Sequence, residues 1–538
     1  MDVGFGTIWE AVNDRLPDVP AITEPGRTFS RAEFDDRASR LATAFADAGV
    51  GPGDTVACYL YNGSAYLETV FAAFKLGAVP INANYRYTGP ELASLLADAD
   101  ARVLVFSASL AANVEAVAAQ VPTLELLVHA GDGDASAVAG SHGLDELLTV
   151  HAPRPHQARP GTDRLFMYTG GTTGRPKGVI WQHGDLIHSI AVPAYGPLGR
   201  ALPESLEEAV EAALDAHARG LAPTTMPVIP LMHGTGLFNT IGSLLVGGHI
   251  VFPPPGRLDT RQVWETVARH RVGTILVAGN AVSRPLLDEL ARAESEGRPH
   301  DLSSLRSIVS SGTAMSDEVK EEFHRRTPVT IVDAIASSEG GPFAFAITNS
   351  VDDLPSRFMP VPATKVFGND DVEVRPGSGE VGVLSYCGPL PLGYHKDAAK
   401  SSATFRIIDG IRWSQPGDLV EVLPDGAIRF LGRGSGVINT GGEKVHPAEV
   451  EDALLSHPAV RDAVVVGVPD PTWGERVAAI VAVGTGSVTP EALTEHLRPQ
   501  LAGYKIPRSI HVVDELPRTP TGKIETAWAK RRAAEAAG

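Results

Sequence analysis

Cysteine is nearly absent from this chain: Cys58 and Cys387 are the only two among its 538 residues. Two such thiols exclude a disulfide-built scaffold and a cysteine-rich metal site, and they fit a reducing compartment. The sequence also lacks any run of about 18 uninterrupted apolar residues, which a membrane-spanning helix needs. Its first residues, MDVGFGTIWEAVNDRL, lack the basic start and apolar core of a secretion signal. We therefore expect a soluble, cytoplasmic protein without an integral membrane segment.

Positive charge is also scarce relative to negative charge, because the chain has 46 Lys and Arg residues and 64 Asp and Glu residues. The resulting net charge of −18 at pH 7 disfavours nonspecific binding to nucleic acids and to anionic membranes. An anionic ligand would therefore need a local basic pocket. Hydrophobic residues make up 43% of the chain, which is typical of a folded protein. A chain of this length is too long to fold around a single hydrophobic core, so at least two domains are expected.

Apolar patterns typical of strands alternate with patterns typical of helices along the chain. Short buried strands are predicted at 56–61, 101–106 and 124–129. A capping box of Ser30 and Glu33 begins one predicted amphipathic helix, and another is predicted over 205–219. This alternation indicates an α/β fold with a largely parallel sheet. The predicted elements become shorter toward the C-terminal end, which divides the chain into predicted domains 1–432 and 433–538.

The stretch YTGGTTGRPKG at 168–178 is too rich in glycine for a packed strand or helix, so we predict a loop. A solvated hairpin turn would explain its glycines. It would not explain the crowding of hydroxyls and cations, namely Thr169, Thr172, Thr173, Arg175 and Lys177. Backbone N–H groups freed by glycine, several hydroxyls and two cations are what a polyphosphate needs. We therefore interpret the stretch as a phosphate-binding loop.

This loop differs from the phosphate loop of kinases and GTPases, in which GxxxxGK precedes a serine or threonine that binds Mg²⁺. Here Pro176 precedes Lys177 and Gly178 follows it, so that hydroxyl is missing. The stretch instead resembles the signature loop of the adenylate-forming enzymes. That superfamily comprises acyl-CoA synthetases, firefly luciferase and the adenylation domains of nonribosomal peptide synthetases. The resemblance covers nearly the whole chain, from the helix near Ser30 to Lys523.

A second motif carries the same resemblance. The segment IVDAIASSEGG at 331–341 is similar to the family's Tyr-Gly-x-Thr-Glu motif, which follows a strand and opens onto a ligand crevice. By that match, Ser338 lies near the α-phosphate and Glu339 binds Mg²⁺. Ile335 and Ala336 replace the tyrosine and the glycine. Adenine must therefore stack on another residue or stack more weakly than in most relatives.

Further segments match the family. SSGTAM at 310–315 resembles the family segment beside adenine and the acyl chain, although by itself it is typical of a strand-to-helix turn. In SQPGDLVEV at 414–422, Asp418 corresponds to the aspartate that binds both ribose hydroxyls, while Pro416 replaces the usual threonine. A carboxylate suits a vicinal diol because its two oxygens accept two O–H donors at once. Arg433 corresponds to the second ribose contact.

The resemblance implies sites for ATP, Mg²⁺ and coenzyme A. The implied ATP-binding residues are Thr169, Gly170, Gly171, Thr172, Thr173, Gly174, Lys177, Ser311, Gly312, Thr313, Ser338, Glu339, Asp418, Arg433 and Lys523. The implied catalytic residues are Lys523 in LPRTPTGKIE, Glu339, Thr172 and His233, of which Glu339 and Thr172 form the metal site. The implied CoA-side loop consists of Gly441, Gly442, Glu443 and Lys444. Glycines in that loop let a thin substrate arm pass close to the backbone.

The implied acyl site begins at His233, in the segment PLMHGTGLFNTIGSLLVGG at 230–248. The family places an aromatic residue or a histidine there, which gates the acyl group. The alternative is a structural role, in which the histidine is hydrogen-bonded in the turn that begins the helix. Phe238, Val277 and Gly279 offer apolar or small walls, without a cation suited to an amino-acid or dicarboxylate substrate. The segments look most like those of actinobacterial fatty-acyl and steroid-side-chain CoA ligases. We therefore expect a fatty or bulky hydrophobic carboxylate as the substrate.

By the same resemblance, the large N-terminal domain contains two α/β sheets and a distorted β-barrel, and the small, mobile C-terminal domain is α+β. Gly436 takes the hinge position, where most relatives have an aspartate or a lysine. The implied activity is that of an AMP-forming acyl-CoA ligase, whose partners are a small carboxylate, ATP and CoA; a homodimer stays open. The alternatives are an acyl-AMP ligase that loads a separate carrier protein, a luciferase-like oxygenase and a catalytically silent binding homologue.

Overall fold

The computed structural model describes residues 2–87, 89–131, 133–135, 138–170, 176–256, 258–440, 443–470, 474–484, 488–501, 503–518 and 524–535. Helices occur along the whole of this range. In chain order they are α1 (Phe5–Arg15), α2 (Arg31–Asp47), α3 (Ser64–Leu76), α4 (Gly89–Asp98), α5 (Ala111–Ala118), α6 (Leu144–Val150), α7 (His183–Tyr195), α8 (Leu206–Ala218), α9 (Gly234–Leu245), α10 (Thr260–His270), α11 (Gly279–Ser295), α12 (Asp317–Arg326), α13 (Ala398–Thr404), α14 (Pro447–Leu455), α15 (Pro490–Leu497) and α16 (Thr526–Glu535).

The strands are mostly short. In chain order they are β1 (Pro20–Glu24), β2 (Arg27–Ser30), β3 (Thr55–Tyr59), β4 (Val79–Asn82), β5 (Ala101–Ser107), β6 (Leu126–Ala130), β7 (Ser141–Gly143), β8 (Arg164–Gly170), β9 (Pro176–Gln182), β10 (Thr224–Pro227), β11 (His249–Val251), β12 (Thr274–Val277), β13 (Ser307–Ser311), β14 (Thr330–Ser337), β15 (Gly340–Thr348), β16 (Met359–Pro360), β17 (Thr364–Phe367), β18 (Val381–Tyr386), β19 (Gly393–Tyr394), β20 (Phe405–Ile408), β21 (Ile411–Ser414), β22 (Asp418–Val422), β23 (Ile428–Arg433), β24 (Ile438–Thr440), β25 (Glu443–Val445), β26 (Val460–Asp470), β27 (Gly474–Val483) and β28 (Ser509–Val513).

Two large sheets carry most of the chain before residue 360. One has eight strands in the order β19-β9-β8-β4-β3-β5-β6-β7, and it is parallel from β8 to β7. The other has nine strands in the order β16-β15-β14-β13-β12-β10-β11-β1-β2, with parallel pairing from β14 to β1. Buried central strands such as β3, in which every residue is buried, explain the apolar runs in the sequence. The predicted α/β fold is confirmed.

Two smaller sheets follow. Strands β17, β18 and β20 to β23 form a six-stranded antiparallel sheet. Strands β24 to β28 form a five-stranded sheet, against which Val450 and Leu454 of α14 and Leu493 of α15 pack in a separate apolar core. The protein thus has a large N-terminal part with several sheets and a smaller C-terminal part with its own core.

The local signals in the sequence predict several elements correctly. Ser30 caps α2 through its side chain, which accepts a hydrogen bond from the Glu33 N–H, and the Glu33 carboxylate accepts one from the Ser30 N–H in return. The predicted second helix forms as α8, where Ser205 accepts a hydrogen bond from the N–H of Glu208. Strands β3, β5 and β6 overlap the three predicted strands. Among the described residues, no helix has the length and apolar character needed to cross a membrane.

His183 is a fully buried histidine at the start of α7, 0% exposed. Its ring packs against two phenylalanine rings that also stack on each other, with centroids 4.9 Å from Phe5 and 4.5 Å from Phe74. Burial lowers the pKa of His183 to about 3, because the protonated ring would lose its hydration. The histidine protonates in the unfolded chain near pH 6.5 but stays neutral in the folded protein. Its contribution to stability is therefore present above pH 6.5 and is lost as the pH falls toward 3.

This titration gives a measurable pH dependence. Between about pH 7.5 and about pH 5.5, the His183 linkage should lower the free energy of unfolding by about 1.4 kcal/mol. The variant His183→Leu keeps an apolar side chain beside the two rings and removes the titrating group, so this part of the stability loss at acid pH should disappear. Urea unfolding of both proteins at the two pH values measures the difference. An equal fall in the free energy of unfolding between the two pH values in the parent and the variant would contradict the prediction.

Candidate active site

One cavity of about 3030 Å³ joins the main parts of the fold. Its wall includes Thr169 from the eight-stranded sheet, Ser311 from the nine-stranded sheet, Asp418 from the six-stranded sheet and Ile438 from the C-terminal sheet. Ser311 is the last residue of β13, and Thr169 lies next to the end of β8. The cavity therefore opens at the carboxyl ends of strands, where α/β sheets bind their ligands.

Glu339 is a carboxylate held at this cavity in the turn between β14 and β15, and it is 9% exposed. The hydroxyl of Tyr394 donates a 2.7 Å hydrogen bond to its Oε1. Burial and the Glu339 carboxylate raise the pKa of Tyr394, so this hydroxyl stays a donor. A buried carboxylate at the cavity wall is the hard oxygen donor that Mg²⁺ prefers, so Glu339 fits the implied ion.

Of the two cations in the predicted phosphate loop, Lys177 lies within the described residues. It stands on β9 opposite Thr169 of β8 and forms an ion pair with Asp397. Asp397 caps the first turn of α13, where its Oδ1 accepts a 2.8 Å hydrogen bond from the N–H of Lys400. The ammonium of Lys177 lowers the pKa of Asp397. A cap and an ion pair thus fix the carboxylate, and the carboxylate fixes the lysine at the cavity wall.

Asp418 and Arg433 face each other across the antiparallel strands β22 and β23. Arg433 Nε donates a 3.1 Å hydrogen bond to Asp418 Oδ1, and Asp418 is 5% exposed. Burial acts to lower the pKa of Arg433, but the charges of Asp418 and Glu339 outweigh it and raise that pKa. Both residues line the cavity. The two residues that the sequence assigns to ribose therefore form one contact pair.

The segment that the resemblance places beside adenine, 310–315, spans the end of β13 and the connection to α12. Ser311, Gly312 and Thr313 all line the cavity. The start of α11 holds this segment, because the N–H of Asn280 donates to the Ala314 carbonyl at 2.9 Å. Gly279 has a positive φ of 45°, and a Cβ there would lie 2.2 Å from the Ala314 oxygen. Gly279 thus permits close packing of the adenine-side segment and does not itself line the cavity.

Helices α7 and α9 both contribute to the cavity wall near the segment that the resemblance assigns to the acyl group. His233 directly precedes α9, and its carbonyl accepts a 2.9 Å hydrogen bond from the N–H of Leu237. Both His233 and Phe238 line the cavity. Phe238 meets Trp181 edge-on, with ring centroids 6.4 Å apart. Val277 is 0% exposed in the core of the nine-stranded sheet, so it does not line the cavity.

Other sequence-predicted residues are placed as follows. Ser338 and Gly436 line the cavity, and Gly170 ends β8. Glu443 and Lys444 begin β25, a strand whose register the structure gives without describing these two side chains. The predicted residues that lie outside the described ranges are Gly171, Thr172, Thr173, Gly174, Gly441, Gly442 and Lys523.

The sequence reasoning missed several residues that organise the site. Asn82 ties β4 to the neighbouring elements, since its side-chain amide donates to the carbonyls of Tyr168 at 2.8 Å and Met232 at 2.7 Å. Tyr394 and Asp397 lie in the segment LPLGYHKDAAK, which was not singled out. An aspartate before AAKSSAT is typical of a helix cap and could have identified Asp397. No local signal identifies Tyr394, because its partner Glu339 is 55 residues away.

Comparisons with known proteins show the family to which the chain belongs. The sequence profile of the AMP-binding enzymes matches residues 9–394, and the profile of the AMP-binding enzyme C-terminal domain matches 449–523. A 3-oxocholest-4-en-26-oate–CoA ligase of Rhodococcus rhodochrous is 38% identical over 98% of this chain and 96% of its own. A medium/long-chain-fatty-acid–CoA/3-oxocholest-4-en-26-oate–CoA ligase of Mycolicibacterium smegmatis is 36% identical, with the same shares covered.

Solved structures of CoA ligases have the same fold as this chain. An anthranilate–CoA ligase crystallised with anthranoyl-AMP superposes with a TM-score of 0.85 at 25% identity, covering 100% of this chain and 98% of that one. A benzoate–CoA ligase of Burkholderia xenovorans LB400 superposes with a TM-score of 0.82 at 24% identity, covering 98% and 99%. From the two profile matches and these full-length relatives, we conclude that the chain belongs to the AMP-binding enzyme family.

Proposed function

We propose that this chain is an AMP-forming acyl-CoA ligase that activates a fatty or bulky hydrophobic carboxylate with ATP and passes the acyl group to CoA. One observation carries the proposal: a single cavity brings Lys177, Glu339 and the Asp418–Arg433 pair together beside the apolar helix α9. The relatives described above are named for ligation of CoA to fatty acids and to a steroid side-chain acid. They match this chain over nearly its whole length.

In the first half-reaction, a carboxylate oxygen of the substrate attacks the α-phosphorus of ATP and pyrophosphate leaves. Lys177 would contact the phosphates from β9, and Asp418 would accept hydrogen bonds from the ribose hydroxyls. Mg²⁺, when held by Glu339, supplies positive charge to the triphosphate. Lys523 would neutralise the charge that develops on the α-phosphate and the incoming carboxylate, which is electrostatic stabilisation of the transition state.

In the second half-reaction, the thiolate of CoA attacks the acyl carbonyl carbon and AMP leaves. We assign the passage of pantetheine to Gly441 and Gly442, where the absence of side chains leaves room for a thin arm. We place the boundary between the two domains, 1–432 and 433–538, at the last residue of β23, just before the turn that leads to β24. No protein nucleophile is required, because the acyl group moves directly from adenylate to CoA.

The acyl group would lie beside α7 and α9. These helices contribute Ile190, Pro193 and Phe238 to the cavity wall, and neither helix contains a lysine or an arginine. Trp181 adds an aromatic surface at the same wall. Such a wall favours a hydrophobic acyl group over a dicarboxylate, since a second carboxylate there would be buried without a cationic partner.

A panel of carboxylates tests the proposal. The purified protein is incubated with ATP, Mg²⁺ and medium-chain or long-chain fatty acids, a steroid side-chain acid, benzoate or an amino acid, with and without CoA. We expect CoA thioesters from the fatty or steroid acids, and a CoA-dependent rise in AMP release. Pyrophosphate release that CoA does not raise would favour an acyl-AMP ligase acting on a separate carrier protein. No turnover with any acid would favour a silent binding homologue.

A further inference from the structure

The turn that carries Glu339 is held by three hydrogen bonds from outside it. Trp181 Nε1 donates to the Ser338 carbonyl at 2.9 Å, and Ser414 Oγ donates to the Glu339 carbonyl at 2.7 Å. Both of these bonds fix the backbone and leave the carboxylate free to rotate. The third bond, from the Tyr394 hydroxyl to Glu339 Oε1 at 2.7 Å, fixes the carboxylate itself.

Tyr394 is itself held in place by its backbone and by its ring. It pairs with Val179 of β9, and its N–H donates a 2.8 Å hydrogen bond to Ser401 Oγ. The ring is 7% exposed, and its centroid lies 6.0 Å from that of Phe405. A backbone pair, a hydrogen bond and ring packing therefore leave the hydroxyl little freedom to move away from Glu339.

We propose that Tyr394 is a positioning residue that orients Glu339 for the metal–nucleotide complex, an inference that rests on the proposed function. With the Tyr394 hydroxyl bound to one lone pair of Oε1, the carboxylate keeps a fixed orientation in which its other lone pairs can take a cation. The strand that anchors Tyr394 also carries Lys177, two residues before Val179. β9 thus sets the position of the phosphate-side lysine and, through Tyr394, that of the carboxylate, which fixes the separation of the two charges that a metal triphosphate would meet.

The variant Tyr394→Phe tests this role, because it removes only the hydroxyl and keeps the ring. Loss of a group that orients a metal ligand typically costs about 10-fold to 100-fold in metal affinity. We expect the Mg²⁺ concentration for half-maximal binding of a non-hydrolysable ATP analogue, measured by calorimetry, to rise at least about 10-fold. Binding of the analogue without metal should not change. The adenylation rate should recover at saturating Mg²⁺, which a merely structural defect would not allow.

Tyr66→Phe is the matched control. Tyr66 is a buried tyrosine of α3, 1% exposed, whose hydroxyl has no hydrogen-bond partner within the described ranges. Removing that hydroxyl should leave the Mg²⁺ midpoint unchanged. An unchanged midpoint in Tyr394→Phe would overturn the proposal, as would a rate defect that persists at saturating Mg²⁺. If the parent protein bound no nucleotide in the presence of metal, the proposed function would fail, and the inference with it.

Discussion

Replacing Lys523 by alanine is expected to slow acyl-adenylate formation at least about 100-fold, which is the scale of losing a preorganised charge at the transition state. The lysine lies outside the described residues, but Arg518 and Ile524 on its two sides both line the cavity. Thioester formation from a supplied acyl-adenylate should stay nearly unchanged, because the bond to the α-phosphorus has already formed in that substrate. The two half-reactions should therefore separate.

Pyrophosphate release reports the first step, and thioester formation from synthetic acyl-AMP reports the second. Lys530→Ala is the control, since Lys530 of α16 is another C-terminal lysine that lines the cavity. That variant should change either step only a few-fold, about the effect of removing a partly screened charge. An equal loss of both steps in Lys523→Ala would show that the lysine does not act in adenylation alone.

The parts of the fold that follow from local sequence are those with local physical causes. The box at Ser30 and Glu33 and the cap at Ser205 depend on residues three positions apart, so the sequence predicts where α2 and α8 begin. Buried strands such as β3 carry unbroken apolar runs. The assignment of Asp418 and Arg433 to ribose came from motifs and stays a prediction; the antiparallel pairing of β22 and β23 brings the two residues side by side.

The parts that do not follow depend on contacts between distant segments. Tyr394 reaches Glu339, and Asp397 reaches Lys177 across 220 positions, and neither pairing leaves a trace in the nearby sequence. Val277 also shows the limit of sequence reasoning. It is apolar and lies near the segment expected to form the acyl wall, but its neighbour Leu276 lines the cavity instead, because successive strand residues point to opposite faces.

Replacing Gly436 by proline is expected to abolish CoA thioester production while pyrophosphate release in a single turnover persists. Gly436 lies in the short helical turn Gly434–Gly436 between β23 and β24. A Cβ at this position would meet nothing within 4 Å, and its φ is not in the left-handed region. Glycine is therefore not required by the conformation described here. Its freedom would matter during the rotation of the C-terminal domain that the resemblance implies, since glycine crosses between φ wells at little steric cost.

Proline would fix φ at about −65° and so hold one orientation of the C-terminal domain. We expect that orientation to support adenylation, because adenylation comes first and ATP favours it. Gly436→Ala is the matched control: the space around position 436 accommodates a methyl group, so this variant should complete both half-reactions with only a modest loss of rate. Pyrophosphate release and thioester formation are measured separately for each variant. A proline variant that completes both at the parent rate would show that the pivot lies elsewhere, whereas loss of both would mean that proline holds an orientation unable to adenylate.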